Sequence, residues 1–96
     1  MTESEETETL FEKAEYAYER RDHAEAFTCY RKAAEMGHIA AQRSLGIYYE
    51  KGYGVPQDLP ARDRLAKAVY WLTKAAEQGD DNAQENLDAL KQKGKI

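Results

Sequence analysis

The chain has 96 residues, 42% hydrophobic and 33% charged, with 14 basic against 18 acidic side chains and a net charge of −4. That amounts to one small domain with a modest core, too short for two domains or a deep enzyme pocket. The acidity sits at one end (Glu3, Glu5, Glu6, Glu8 and Glu12, with no base before residue 13), and the nearly neutral remainder lacks the clustered Lys/Arg surface that a nucleic-acid partner requires.

Residues 1–6 read as an acidic, disordered tail. Leu10, Ala14, Ala17, Tyr18 and Arg21 then recur at helical intervals and predict a first helix over about residues 7–21. Asp22 with Glu25 three residues on forms a capping box that opens a second helix over 22–36. Its apolar stripe is Ala26, Phe27, Tyr30, Ala33 and Ala34, and Gly37 stops it. A third helix over 39–51 buries Ala41, Leu45, Tyr48 and Tyr49 and ends at Gly52. Residues 52–63 hold both prolines and two of the six glycines, the composition of a loop, with room for a helical turn from Asp58. A fourth helix over 64–78 buries Leu65, Ala68, Val69, Leu72, Ala75 and Ala76 and ends at Gly79. The fifth, over 81–93, buries Ala83, Leu87 and Leu90 and keeps Asn82, Glu85, Asn86 and Gln92 on a polar outer side, as the last helix of a stack must.

The chain also repeats itself. Tyr30 to Gly37 (YRKAAEMG) lies over Leu72 to Gly79 (LTKAAEQG) at an offset of 42, which also carries Ala26 to Ala68, Ala41-Gln42 to Ala83-Gln84 and Leu45 to Leu87. An offset of 31 lays Ala14, Tyr18 and Arg21 over Leu45, Tyr49 and Gly52, so the second unit has the longer loop between its helices.

Residues 41–58 (AQRSLGIYYEKGYGVPQD), resumed at Lys67 to Trp71 (KAVYW) and Lys74 to Gly79 (KAAEQG), resemble the Sel1-like repeat family, an α-solenoid related to tetratricopeptide repeats. The resemblance implies an all-α, right-handed α-α superhelix of two helix pairs plus a C-terminal capping helix. Three departures stand out: six extra residues, Leu59 to Arg64, which make the loop bulge or extend helix four; no Gly-Val-Pro-Gln-Asp turn in the first unit; and Asp88 where the third unit would have glycine. Small residues at 26, 33, 34, 68, 75 and 76 let helix axes approach, Tyr18, Tyr30, Tyr49 and Trp71 fill the spaces between three helices, and Gly46 admits a neighbouring helix to its backbone.

Chemistry is sparse. His23 and His38 fall at helix starts, where a structural or solvated role is the ordinary one, and His23 and Cys29, six apart, do not share a helical face as zinc ligands would. Cys29 reads as a small buried apolar side chain, and Gly52-Tyr53-Gly54 follows a helix and lacks the Gly-Lys-Ser/Thr ending of a phosphate loop. No catalytic residue, metal or cofactor is expected. No apolar run approaches the roughly 20 residues that cross a bilayer, the N-terminus does not read as a secretory signal, and a cytoplasmic location is the default.

The resemblance places the first helix of each pair on the concave side, with Glu12, Tyr16, Glu19 and Arg20 from helix one, Arg43, Ile47, Glu50 and Lys51 from helix three, and Glu85 and Ala89 from helix five. Tyr16 and Ile47 lie off the buried stripes among charges of both signs, the make-up of an anchor within a polar rim. The expected function is a non-enzymatic protein–protein interaction module, an adaptor or scaffold that binds a peptide or protein partner in that groove. The alternatives are a self-associating structural unit, a homo-oligomer, or a bacterial immunity-type protein that binds a cognate toxin.

Overall fold

The computed structural model describes residues 3–96, which form five α-helices and no strand: α1 (Glu3–Glu19), α2 (His23–Glu35), α3 (Ile39–Lys51), α4 (Ala61–Glu77) and α5 (Asp81–Gln92). Each helix packs chiefly on its neighbours in sequence, so α1/α2 and α3/α4 stack as helix pairs and α5 covers the far side of α4. This is an all-α helix-pair solenoid.

α1 starts earlier than the composition suggests. Glu5 and Glu6 lie within the helix rather than in a disordered tail, and residues 1 and 2 are outside the described part. Carboxylates in a first turn oppose the positive end of the helix dipole, and tertiary contacts hold that turn in place. Thr7 is buried with its hydroxyl 3.8 Å from Met36 Sδ, and Glu8 lies 3.1 Å from His38 Nε2. The helix also stops sooner, at Glu19 rather than Arg21. Arg21 has φ 61°, and the N–H of Asp22 donates back to Ala17 O, which closes the helix in the manner usually assigned to glycine.

The caps follow the repeat. Asp22 accepts from the N–H of Glu25 at 3.1 Å and so opens α2. His38 and Asp80, 42 residues apart, do the same for α3 and α5: His38 Nδ1 accepts from Ala41 N at 3.1 Å and Asp80 Oδ1 from Ala83 N at 3.0 Å. Since Nδ1 accepts, the proton of neutral His38 sits on Nε2, facing Glu8.

Leu59 to Arg64 divides between the two expected outcomes. Leu59 and Pro60 stay in the loop, and α4 begins at Ala61, three residues before the expected start. Arg64, in the first turn, donates to Tyr49 O at 3.2 Å and Glu50 O at 3.4 Å and thereby satisfies carbonyls at the end of α3. No helical turn forms at Asp58; the loop closes instead with Leu59 N donating to Pro56 O, and Val55 and Leu59 pack on the core.

Ala26, Phe27, Tyr30, Ala33, Ala34, Ala41, Leu45, Tyr48, Tyr49, Ala68, Leu72, Ala75, Ala83, Leu87 and Leu90 are buried on the expected faces, as is Cys29. At Gly46 a Cβ would stand 2.7 Å from Leu72 Cγ, so the glycine does bring α3 and α4 into backbone contact. Gln42, a polar residue among alanines, is also buried: it donates to Ala34 O at 3.2 Å and accepts from Gln78 Nε2 at 2.6 Å, which links both helix pairs. Tyr18 departs from its expected filling role and is 49% exposed.

Candidate functional site

Two clefts meet at Tyr18. The first, about 230 Å³, lies between α1 and α3 over Tyr30 of α2 and is lined by Glu15, Tyr18, Tyr30, Arg43, Ser44, Ile47 and Tyr48. The second, about 390 Å³, opens toward the α1–α2 turn beside Tyr18, Glu19, Arg21, His23 and Tyr53. Their walls form one aromatic assembly. Tyr48 meets Tyr30 edge-on at 5.2 Å and Tyr53 edge-on at 5.5 Å, while His23 stacks on Tyr53 at 4.6 Å. His23 Nδ1 lies 3.3 Å from the Tyr48 hydroxyl, so this histidine is built into the cluster and positions rings.

The site is legible as chemistry. Burial, followed by the carboxylate of Glu15, pushes the Tyr30 phenol well above its ordinary range, and Glu15 and Ser44 line the same cleft. Burial and then the nearby Tyr18 push Tyr48 up to about 12. Both phenols therefore stay neutral donors at physiological pH. Burial pushes the Cys29 thiol up, away from the reactive thiolate. Among the described residues, no group of three His, Cys, Asp or Glu side chains is placed to hold a metal ion, and no helix is long and apolar enough to cross a membrane.

The sequence-expected groove residues fare differently. Arg43 and Ile47 line the first cleft, and Glu19 lines the second. Arg43 also reaches Asp80 at 2.8 Å, so its charge is spent holding the start of α5. Tyr16 is 61% exposed but belongs to neither cleft; the guanidinium of Arg20 lies 5.0 Å above its ring and also approaches Asp22 and Glu25. Glu50 faces a separate hollow with Tyr49, Arg64 and Lys95. Glu12, Lys51 and Glu85 are exposed on their helices and line none of these clefts, and Ala89 is half-buried on α5. Glu15, Tyr18, Ser44, His23 and Tyr53 are wall residues that helical spacing and charge pattern do not single out.

The joints at His38 and Asp80 divide the chain into two units, and they coincide with the limits of two matches to the Sel1 repeat model, at residues 12–38 and 39–80. The chain belongs to the Sel1 repeat family. Sel1 repeats are helical units related to tetratricopeptide repeats and generally serve protein–protein interaction. The chain is also 35% identical over 66 residues to a protein named chitin synthase regulator SKT5 from the fungus Malassezia restricta. That match takes in 69% of this chain and 4% of the relative, so the chain corresponds to a small part of it. No solved structure matches the chain.

Proposed function

We propose that this Sel1 repeat protein is a non-catalytic interaction module, an adaptor or scaffold, that binds a segment of a protein partner in the cleft between α1 and α3. The observation that carries this reading is the first cleft itself. There a half-exposed tyrosine and a half-buried isoleucine, Tyr18 and Ile47, stand over a floor of buried phenols, Tyr30 and Tyr48. Aromatic anchors beside polar groups that can orient a ligand are the composition of a binding hot spot. The name of the fungal relative supports a regulatory binding role without naming a partner, because this chain answers to 4% of that protein.

The test is affinity capture from the source organism with three proteins: wild type, the cleft variant Tyr18→Ala/Ile47→Ala, and the variant Tyr70→Ala on the opposite side of the stack. Retention should fall about tenfold or more for the cleft variant, the range of one lost hot spot, and hold for Tyr70→Ala. The reverse pattern would discard the cleft. Circular dichroism of each variant shows whether the helices persist.

A further inference from the structure

Resting on the reading of the first cleft as the binding surface, we propose that its occupant is a basic side chain, Lys or Arg, carried on a segment of the partner. The charges on the two walls are unequal in availability. Arg43 is engaged by Asp80 at 2.8 Å, and the Asp80 side chain is only 7% exposed, so the pair is closed against a competitor. Glu15, on the opposite wall and half-buried, has no cation within ion-pair distance among the described residues. Glu15 shares the cleft with the Tyr30 phenol, and a carboxylate offers about four acceptor positions, more than one phenol can occupy. The cleft therefore presents one uncompensated negative charge.

The rings supply the second contribution. Tyr18 and Tyr48 stand 6.4 Å apart at an interplanar angle of 50°, and Tyr30 lies 5.2 Å from Tyr48, so aromatic groups line the approach to Glu15. A cation is drawn to the negative face of such rings and, unlike a carboxylate, can satisfy Glu15 at the same time. Other side chains are selected against. An acidic one would meet Glu15 with Arg43 already taken, and an aliphatic one would strip water from Glu15 without replacing its hydrogen bonds. Glu19, one turn further along α1, continues the acidic wall into the second cleft.

Selection of displayed random peptides on the wild-type protein tests this, with amide shift mapping of the best binder on the labelled protein. The expected result is enrichment of Lys or Arg, with shifts at Ser44, Ile47 and Tyr48. Binding should weaken about tenfold or more for Glu15→Gln, in line with loss of a charge-assisted hydrogen bond, and remain unchanged for Glu77→Gln on α4. Glu15→Gln keeps the size and polarity of the side chain while removing its charge, and thermal unfolding checks that the variant folds. Peptides that shift the same amides but lack basic residues, or bind Glu15→Gln equally well, would overturn the charge selectivity and leave the cleft reading standing. Shifts confined to other surfaces, or no selected peptide at all, would overturn both.

Discussion

The two helix pairs are built on one template and differ where the opening helix meets its partner. In the second pair Gly46 of α3 faces Leu72 of α4 so closely that a Cβ would collide. At the corresponding positions of the first pair, Glu15 of α1 and Tyr30 of α2 line the cleft. One joint is a dry, close apolar contact; the other is a polar pair on the floor of a cleft. The ends of the opening helices differ likewise. Tyr49 is buried because the long loop and Arg64 cover the end of α3, whereas Tyr18, its counterpart, stays half exposed beside a short turn. The second pair thus closes its joint at Gly46, and the first leaves Tyr18 exposed beside the cleft that the two pairs share. A repeat can trade packing for a surface at two or three positions without a change of fold.

Removing the tight contact should cost most. Leu72→Ala creates a cavity at a fully buried position and should cost about 2–5 kcal/mol in urea unfolding. Filling the same joint from the other side, Gly46→Val, should cost about 1–3 kcal/mol, because the added methyls have no room beside Leu72. If Gly46→Val were as stable as wild type, the two joints would not differ as described.

The caps of the two units differ in polarity. Glu8 of α1 meets the cap His38 at 3.1 Å, and Arg43 of α3 meets the cap Asp80 at 2.8 Å, so an acid approaches one cap and a base the other. His38→Asp replaces the capping ring nitrogen by a carboxylate oxygen but sets it against Glu8 and loses the ring that stacks on Phe11 at 4.3 Å, so it should cost about 1 kcal/mol. Adding Glu8→Arg should restore part of that in a double-mutant cycle, by the few tenths of a kcal/mol typical of an exposed pair. Both are read from thermal unfolding.

The buried phenols at the cleft between the two pairs set an alkaline limit. Folding raises the Tyr48 value to about 12, above the ordinary value of 10.0, so the folded state holds its proton more tightly than the unfolded chain does. The contribution of Tyr48 to stability is complete below about pH 10 and is lost as pH rises through about 12, which urea unfolding across that range measures. Tyr48→Phe should flatten that decline. One effect is a gain: Arg21 holds the left-handed conformation that Gly52 holds in the second pair, so Arg21→Gly should add up to about 1 kcal/mol.

The periodic apolar residues, capping residues and terminal glycines sufficed to set five helices in order, because those signals are local. Repetition at 42 and 31 residues sufficed to stack them, since the same residues at the same spacing pack in the same way. The helix boundaries that shifted are those decided by contacts from elsewhere. Glu5 and Glu6 are helical because Thr7 and Glu8 reach the far end of α2, and α4 starts early because Arg64 caps α3. The cleft was harder to see. Ile47 lies off the buried stripe of α3 and Arg43 follows from the family resemblance, whereas the helical period alone places Tyr18 on the buried stripe and says nothing of how much covers the end of that stripe. The offset of 31 already sets Glu15 against Gly46 and Tyr18 against Tyr49. What the sequence by itself determined is therefore the family, the helices and the packed faces. Only the tertiary structure decided which charge is spent and which is left, because Arg43 and Asp80 lie 37 residues apart and meet only when the stack has formed.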